Sequence, residues 1–208
     1  MDIQALDRRA LDAADAVVGR VRDADLDRPT PCAGWDLRAL LVHMAGNNNG
    51  FAVAAAGAPA DPDVWQGVGL EADPTGAYAA SARRVRAAFE PDDVLDRTFT
   101  VHGFGDFPGA TAIGMHFIDY LAHGWDVAVT IGAEPVLDPE LCLAVLRIGS
   151  RWPPGSAAIW GPGAPFGHPV PVADDAPPAH RMLGFLGRSP VWKGGVPMRG
   201  AGEGSEQN

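Results

Sequence analysis

HFIDYLAHGWDVA, residues 116 to 128, sets His116, Asp119, His123 and Asp126 at intervals of three, four and three, and Thr130 follows four residues later. At about 100° per residue these side chains share a helical sector roughly 80° wide. Asp119 and His123 stand at i and i+4, the spacing that brings two side chains together above one turn of helix. A carboxylate and an imidazole so placed can share a divalent cation. Zn²⁺ commonly takes two histidines and one carboxylate and keeps an open position for water or substrate. The third donor must come from elsewhere, and His43, in LLVHMAGNNNG, is the candidate. A lone histidine among apolar neighbours is more often a hydrogen-bonded core residue than a ligand, so His43 stays open on this ground alone.

The polar line is either a wet outer face or a set of groups turned inward. Residues 107 to 133 contain no Lys, Arg or Glu, the residues that normally populate an exposed helix face. Ile113, Met115, Phe117, Ile118, Tyr120, Leu121, Trp125, Val127 and Val129 cover most of the remaining circumference. A helix apolar nearly all round is a buried helix, and its few polar groups must be paired or coordinated. The inward reading is favoured.

The elements that must position these residues are mostly helical. Ile3, Leu6, Ala10, Ala14, Val17 and Val21 step by threes and fours, predicting a first helix over 3–21. A second helix begins near Trp35 or Asp36 and turns Leu37, Leu40, Leu41, Met44 and Phe51 inward. Residues 57–72 are rich in Pro and Gly and read as a loop. Asp73-Pro74 opens a third helix, with Asp as cap and Pro at the first helical position. Residues 96–109 alternate and turn at glycine, giving a short hairpin or irregular arm. The fourth helix, about 109–131, carries the polar line, and Asp138-Pro139 opens a fifth that ends near 150. Beyond it the chain is Pro/Gly-rich, with one last short helix in APPAHRMLGFLGRSP. The expected architecture is an all-α helical bundle over 1–150, an extension over 151–198 packed on it, and a disordered tail over 199–208.

A net charge of −10 over 208 residues argues against nucleic acid or an anionic membrane as the main partner. No apolar run approaches a membrane span, and the charged N-terminus does not resemble a signal peptide, so a cytoplasmic protein is expected. Cys32 and Cys142 are too few for a disulfide framework. Cys32 lies beside a helix N-terminus, which can lower a thiol pKa, but a packing role is favoured. Arg83, Arg84 and Arg86 read as a solvated face. Asn47, Asn48 and Asn49 could hold a polar cofactor or merely loosen their helix, and Trp35 and Trp125 could wall the bundle near the site or fill its core.

PTPCAGWDLRALLVHMAG (29–46), GDFPG (105–109), HFIDYLAHGWDVA (116–128) and APPAHRMLGFLGRSPVW (176–192) resemble the DinB/YfiT-like metal-binding superfamily. The nearer similarity is to its actinobacterial branch related to the mycothiol-dependent maleylpyruvate isomerase N-terminal domain. The resemblance implies a DinB-like four-helix bundle whose metal ligands are His43, Asp119 and His123. Zinc is the first expectation, with nickel, manganese or iron as alternatives. It makes His116 a supporting or substitute ligand and Asp126 a partner that orients an imidazole. It implies an enzyme that activates a low-molecular-weight thiol, mycothiol, for transfer to or isomerisation of a small electrophile, with a homodimer as the common assembly; from their own positions Asn47 and Trp125 are the residues expected beside that cofactor. The isomerase has Glu where this chain has the shorter Asp119. It also carries a further C-terminal domain, for which residues after 150 are too few. The alternatives are a thiol-independent metal enzyme, such as a hydrolase or a tailoring enzyme, and a non-catalytic metal-binding protein.

Overall fold

Aspartate side chains open five of the seven α-helices in the computed structural model, which describes residues 2–192 and Gly194. The expected tail over 199–208 lies outside the described residues. Asp2 caps α1 (Ile3–Val18), Asp36 caps α2 (Leu37–Ala55), Asp73 caps α4 (Pro74–Phe89) and Asp138 caps α6 (Pro139–Gly149), each accepting from a backbone N–H in the first turn. Such caps satisfy donors that the helix itself cannot reach. The Pro/Gly-rich stretch expected to be a loop contains α3 (Pro62–Gln66), capped by Asp61 with Pro62 in its first turn. The Asp-Pro signal there is the same as at 73–74 and 138–139, but one turn is too short to show a hydrophobic period.

A single antiparallel hairpin joins α4 to the long helix α5 (Gly109–Thr130). Its strands, β1 (Thr98–Val101) and β2 (Gly105–Pro108), pair with Phe99 opposite Phe107. Phe99 and Val101 turn into the core. The remaining α-helix among the described residues is α7 (Pro178–Phe185), which packs on α6.

Sixteen of the 22 residues of α5 are buried, so it is the central element. α1 lies along it, close enough that a methyl added at Gly124 would touch Ala14 at 3.5 Å. α2 packs against both α5 and α4, and α4 also meets α1. Among the described residues the chain is therefore mostly helical with one two-stranded sheet, and its core runs continuously from Ile3 to Leu186. After α6 an aromatic cluster of Trp152, Trp160, Phe166 and Phe185 stands in for regular structure. No helix among the described residues is long and apolar enough to cross a membrane.

α3 reaches the core by laying Trp65, 7% exposed, on α2 where Gly46 and Gly50 leave no side chain. A methyl at Gly50 would collide with the Trp65 indole, whereas one at Gly114 of α5 would meet only Ile3 at 3.9 Å. Two glycine-to-alanine changes should thus act in opposite directions. Gly50→Ala should lower the unfolding free energy by roughly 1–3 kcal/mol through overpacking. Gly114→Ala should raise it by about 0.5–1 kcal/mol through helix propensity. Urea unfolding of the two variants beside the parent checks both signs.

Candidate metal centre

The inward reading of the polar line holds: His116 and Asp126 are fully buried, and His123 and Thr130 are each 6% exposed. The line nevertheless divides into two separate stations.

At the first, His116 is enclosed. One ring nitrogen, Nδ1, lies 2.6 Å from Asp7 Oδ1, and the other, Nε2, lies 3.0 Å from Asn48 Oδ1. Asn48 in turn donates to Ser81 Oγ, and Ser81 donates to the Tyr78 carbonyl. The imidazole stacks on Tyr120 at 4.1 Å, with Phe51 and Phe89 edge-on to it. Both nitrogens are committed to this network, so His116 is not the supporting or substitute ligand expected of it. Its position on the line reflects a need for polar partners from α1 and α2.

At the second station, Asp119 and His123 meet His43 across the α2–α5 contact. Asp119 Oδ1 is 3.2 Å from His123 Nε2, and Asp119 Oδ2 is 4.0 Å from His43 Nε2. One donor atom from each residue lies within 4.8 Å of the others. Donors on a tetrahedral zinc sit about 3.4 Å apart, as follows from bonds of about 2.1 Å. Asp119 meets the two imidazoles through different oxygens, at 3.2 and 4.0 Å, and the three residues together offer the nitrogen and oxygen donors that suit a divalent cation. The side chains of His43 and Asp119 are 29% and 21% exposed, which leaves the cluster open on one side. Asn47 lies at its centre, its amide nitrogen 3.1 Å from both His43 Nε2 and Asp119 Oδ2. Trp35, not Trp125, is the tryptophan against the cluster: its ring centre is 4.7 Å from that of His43 and its surface is 37% exposed. Trp125 lies in the apolar core.

Charge within the cluster is unevenly shared. Burial pushes the His43 imidazole down to about 4, outweighing the opposing pull of Asp119. His43 is thus neutral at pH 7, the form that offers a lone pair. Burial alone would raise Asp119, but the charge and hydrogen bond of His123, then the charge of His43, hold it well below the usual carboxylate range. Burial alone would also lower His123, yet Asp119, Cys32 and the hydrogen bonds to Asp119 and Asp126 raise it well above the ordinary histidine value.

On its other side His123 donates from Nδ1 to Asp126 Oδ2 at 2.9 Å. That oxygen also accepts from Cys32 Sγ at 3.2 Å and from Arg188 Nη2 at 2.9 Å. The packing role favoured for Cys32 is therefore incomplete, because its sulfur joins a polar contact. Arg188 was visible only as part of the block 176–192. The available signal was indirect: a carboxylate at 126 in an apolar helix requires buried donors. Of the remaining candidates, Arg84 meets Asn49 at the surface, and Arg86 pairs with Asp12 and Asp15. Cys142 is buried and free, and burial raises its thiol to about 11.

Comparison with known proteins places the chain. The family model described as the mycothiol maleylpyruvate isomerase N-terminal domain matches residues 8–128, more than half of the chain, and the protein belongs to that family. Two uncharacterised proteins of Mycobacterium tuberculosis, one from strain CDC 1551 / Oshkosh and one from strain ATCC 25618 / H37Rv, are each 34% identical over 192 residues. The alignments cover 91% of this chain and 99% of theirs. Among solved structures, the mycothiol-dependent maleylpyruvate isomerase matches with a TM-score of 0.55 at 15% identity, and a histidine-to-alanine mutant of it with 0.56 at 14%. Both matches cover 69% of this chain and 66% of the isomerase, just under two thirds of its length, and at that identity they show a shared fold.

Asp126 generates a stability prediction. Burial alone would raise its carboxyl, but the charge of Arg188 and the hydrogen bond and charge of His123 lower it from 3.8 to about 2. A depressed carboxylate stabilises the fold above its unfolded pKa, and that contribution, about 2 kcal/mol, is lost as pH falls from about 4 to about 2. Asp126→Asn should cost roughly 3–5 kcal/mol at pH 7, because it leaves the Arg188 charge buried without a counter-ion. It should also flatten the acid limb of the stability profile, which urea unfolding at a series of pH values measures.

Proposed function

We propose that this protein is a divalent-metal-dependent enzyme that activates a low-molecular-weight thiol, mycothiol by family, for transfer to or isomerisation of a small electrophile. The observation that carries the proposal is the convergence of His43, Asp119 and His123 donor atoms within 4.8 Å at an open edge of the fold. Zinc suits two imidazoles and a carboxylate best, with nickel, manganese or iron as alternatives. A cation held there would lower the pKa of a bound thiol or water, or polarise a carbonyl.

The chain's own residues divide the remaining work. Neutral His43 and ionised Asp119 offer lone pairs from opposite sides. Asp126 holds the Nδ1–H of His123 and so points Nε2 at the cluster. The Asn47 amide is placed to donate a hydrogen bond to a ligand atom there, and Trp35 supplies an aromatic wall at the rim. Trp125, expected near the cosubstrate, backs α5 from the core in this reading. α1, α2, α4 and α5 serve as the four-helix bundle within residues 1–150, and the described residues after 150 are its extension. Asp119, one methylene shorter than the isomerase's glutamate, would draw the cation closer to α5.

Metal analysis tests the first half of the proposal. The purified protein should hold about one equivalent, and His43→Ala or His123→Ala should lose it; full metal content in both variants overturns the reading. Calorimetric titration with mycothiol tests the second half. Asp119→Ala should lose both metal and thiol affinity, while absence of heat with the metal-loaded parent, together with no adduct from an electrophile panel, overturns thiol use.

Uptake of metal must displace the proton that His123 carries on Nε2. Because that imidazole is raised above its ordinary value, affinity should increase with pH across the neutral range, by about tenfold per unit for one proton released. Titrations in buffers of different ionisation enthalpy would count that proton directly.

A further inference from the structure

His123 belongs to two donor clusters at once. Its Nε2 faces Asp119 and His43, and its Nδ1 faces Cys32 and Asp126, whose donor atoms with His123 also lie within 4.8 Å of one another. The second set, a sulfur, an imidazole nitrogen and a carboxylate oxygen, is the chemically softer of the two and would suit zinc or another thiophilic ion. Only one of the two clusters contains a cation of its own. Arg188 Nη2 sits 2.9 Å from Asp126 Oδ2 and 3.7 Å from Cys32 Sγ, whereas the polar group inside the first cluster is the neutral amide of Asn47.

We propose that Arg188 is a resident cation that closes the Cys32–His123–Asp126 cluster to metal and so directs the ion to His43, Asp119 and His123. This inference rests on the metal reading above. The guanidinium does not depend on Asp126 alone for its position. Nη1 donates to the Leu186 carbonyl at 2.9 Å, and the guanidinium carbon lies 5.8 Å from the centre of the Phe166 ring. Arg188 is 8% exposed and Asp126 is fully buried, so solvent screens the guanidinium poorly. A divalent ion among Cys32, His123 and Asp126 would stand beside a fixed positive charge. It would also have to take Asp126 Oδ2 away from its three donors and displace protons from both the thiol and the imidazole. With Arg188 removed, the same residues become an unfilled N, O, S donor set around a buried carboxylate. Arg188 is thus a positioning residue: it acts on the ion through Asp126 and Cys32 without touching it.

Cobalt(II) is the probe, because a thiolate ligand adds a charge-transfer band in the near ultraviolet that nitrogen and oxygen ligands do not give. The intact protein with one equivalent of cobalt should show ligand-field bands without that charge-transfer band, and Cys32→Ser should lack the band equally. Arg188→Met should gain the band and take up cobalt beyond one equivalent. The double variant Arg188→Met, Cys32→Ser should lose the band again, and Arg188→Lys, which keeps a cation, should resemble the parent. A thiolate band in the intact protein, or none in folded Arg188→Met, overturns the proposal while leaving a metal enzyme intact. If Arg188→Met does not fold, the comparison of parent with Cys32→Ser decides, since a charge-transfer band that the parent shows and Cys32→Ser lacks overturns it. A parent that binds no cobalt defeats the metal reading itself.

Discussion

One oxygen atom, Asp126 Oδ2, accepts hydrogen bonds from Cys32, His123 and Arg188, which belong to three distant parts of the chain. A carboxylate buried in an apolar helix is tolerable only when its lone pairs are filled and its charge is balanced. Meeting that demand places the turn before α2, the central helix α5 and the segment after α7 around one point. The C-terminal stretch has little regular structure, yet its path is set here, because Arg188 must arrive at Asp126 with its other nitrogen on the Leu186 carbonyl. The orientation of His123 and the open edge beside Asp119 follow from the same contact.

The His116 network applies an equivalent constraint further along α5. His116 joins Asp7 of α1 and Asn48 of α2, and Asn48 extends the chain of bonds to Ser81 of α4. Apolar packing alone tolerates small rotations of a helix about its axis. Two polar stations with fixed partners do not, because turning α5 by one residue would strand buried donors at both. Loss of uniqueness, before loss of stability, is the expected cost of weakening either station.

The sequence carried most of the helices and the direction of the polar line, since both depend on local quantities: period, caps, and the absence of long charged side chains over 107–133. Asp36, Asp73 and Asp138 mark helix starts that the structure contains. α3 was not legible because a single turn has no period and its Pro/Gly surroundings resemble a loop. Within the polar line, His116 could not be separated from His123 by spacing. What distinguishes them is which helix lies opposite, a matter of tertiary packing. Cys32 and Arg188 escaped for a related reason, as the bond joining them to Asp126 spans 94 and 62 residues respectively and leaves no periodic trace. Spacing offered both Trp35 and Trp125 as walls and favoured Trp125 beside the cosubstrate, whereas the packing of the turn before α2 sets Trp35 on His43.

Chain order also imposes an order in time. Arg188 leaves the ribosome 62 residues after Asp126, a delay of roughly 3–12 s at ordinary rates of synthesis. Throughout that interval the nascent chain already holds Cys32, His43, Asp119, His123 and Asp126, and it lacks the guanidinium that balances Asp126. Of the side chains that meet at Asp126 the guanidinium is the last to be made, so this buried carboxylate stays without its counter-charge until residue 188 has been added.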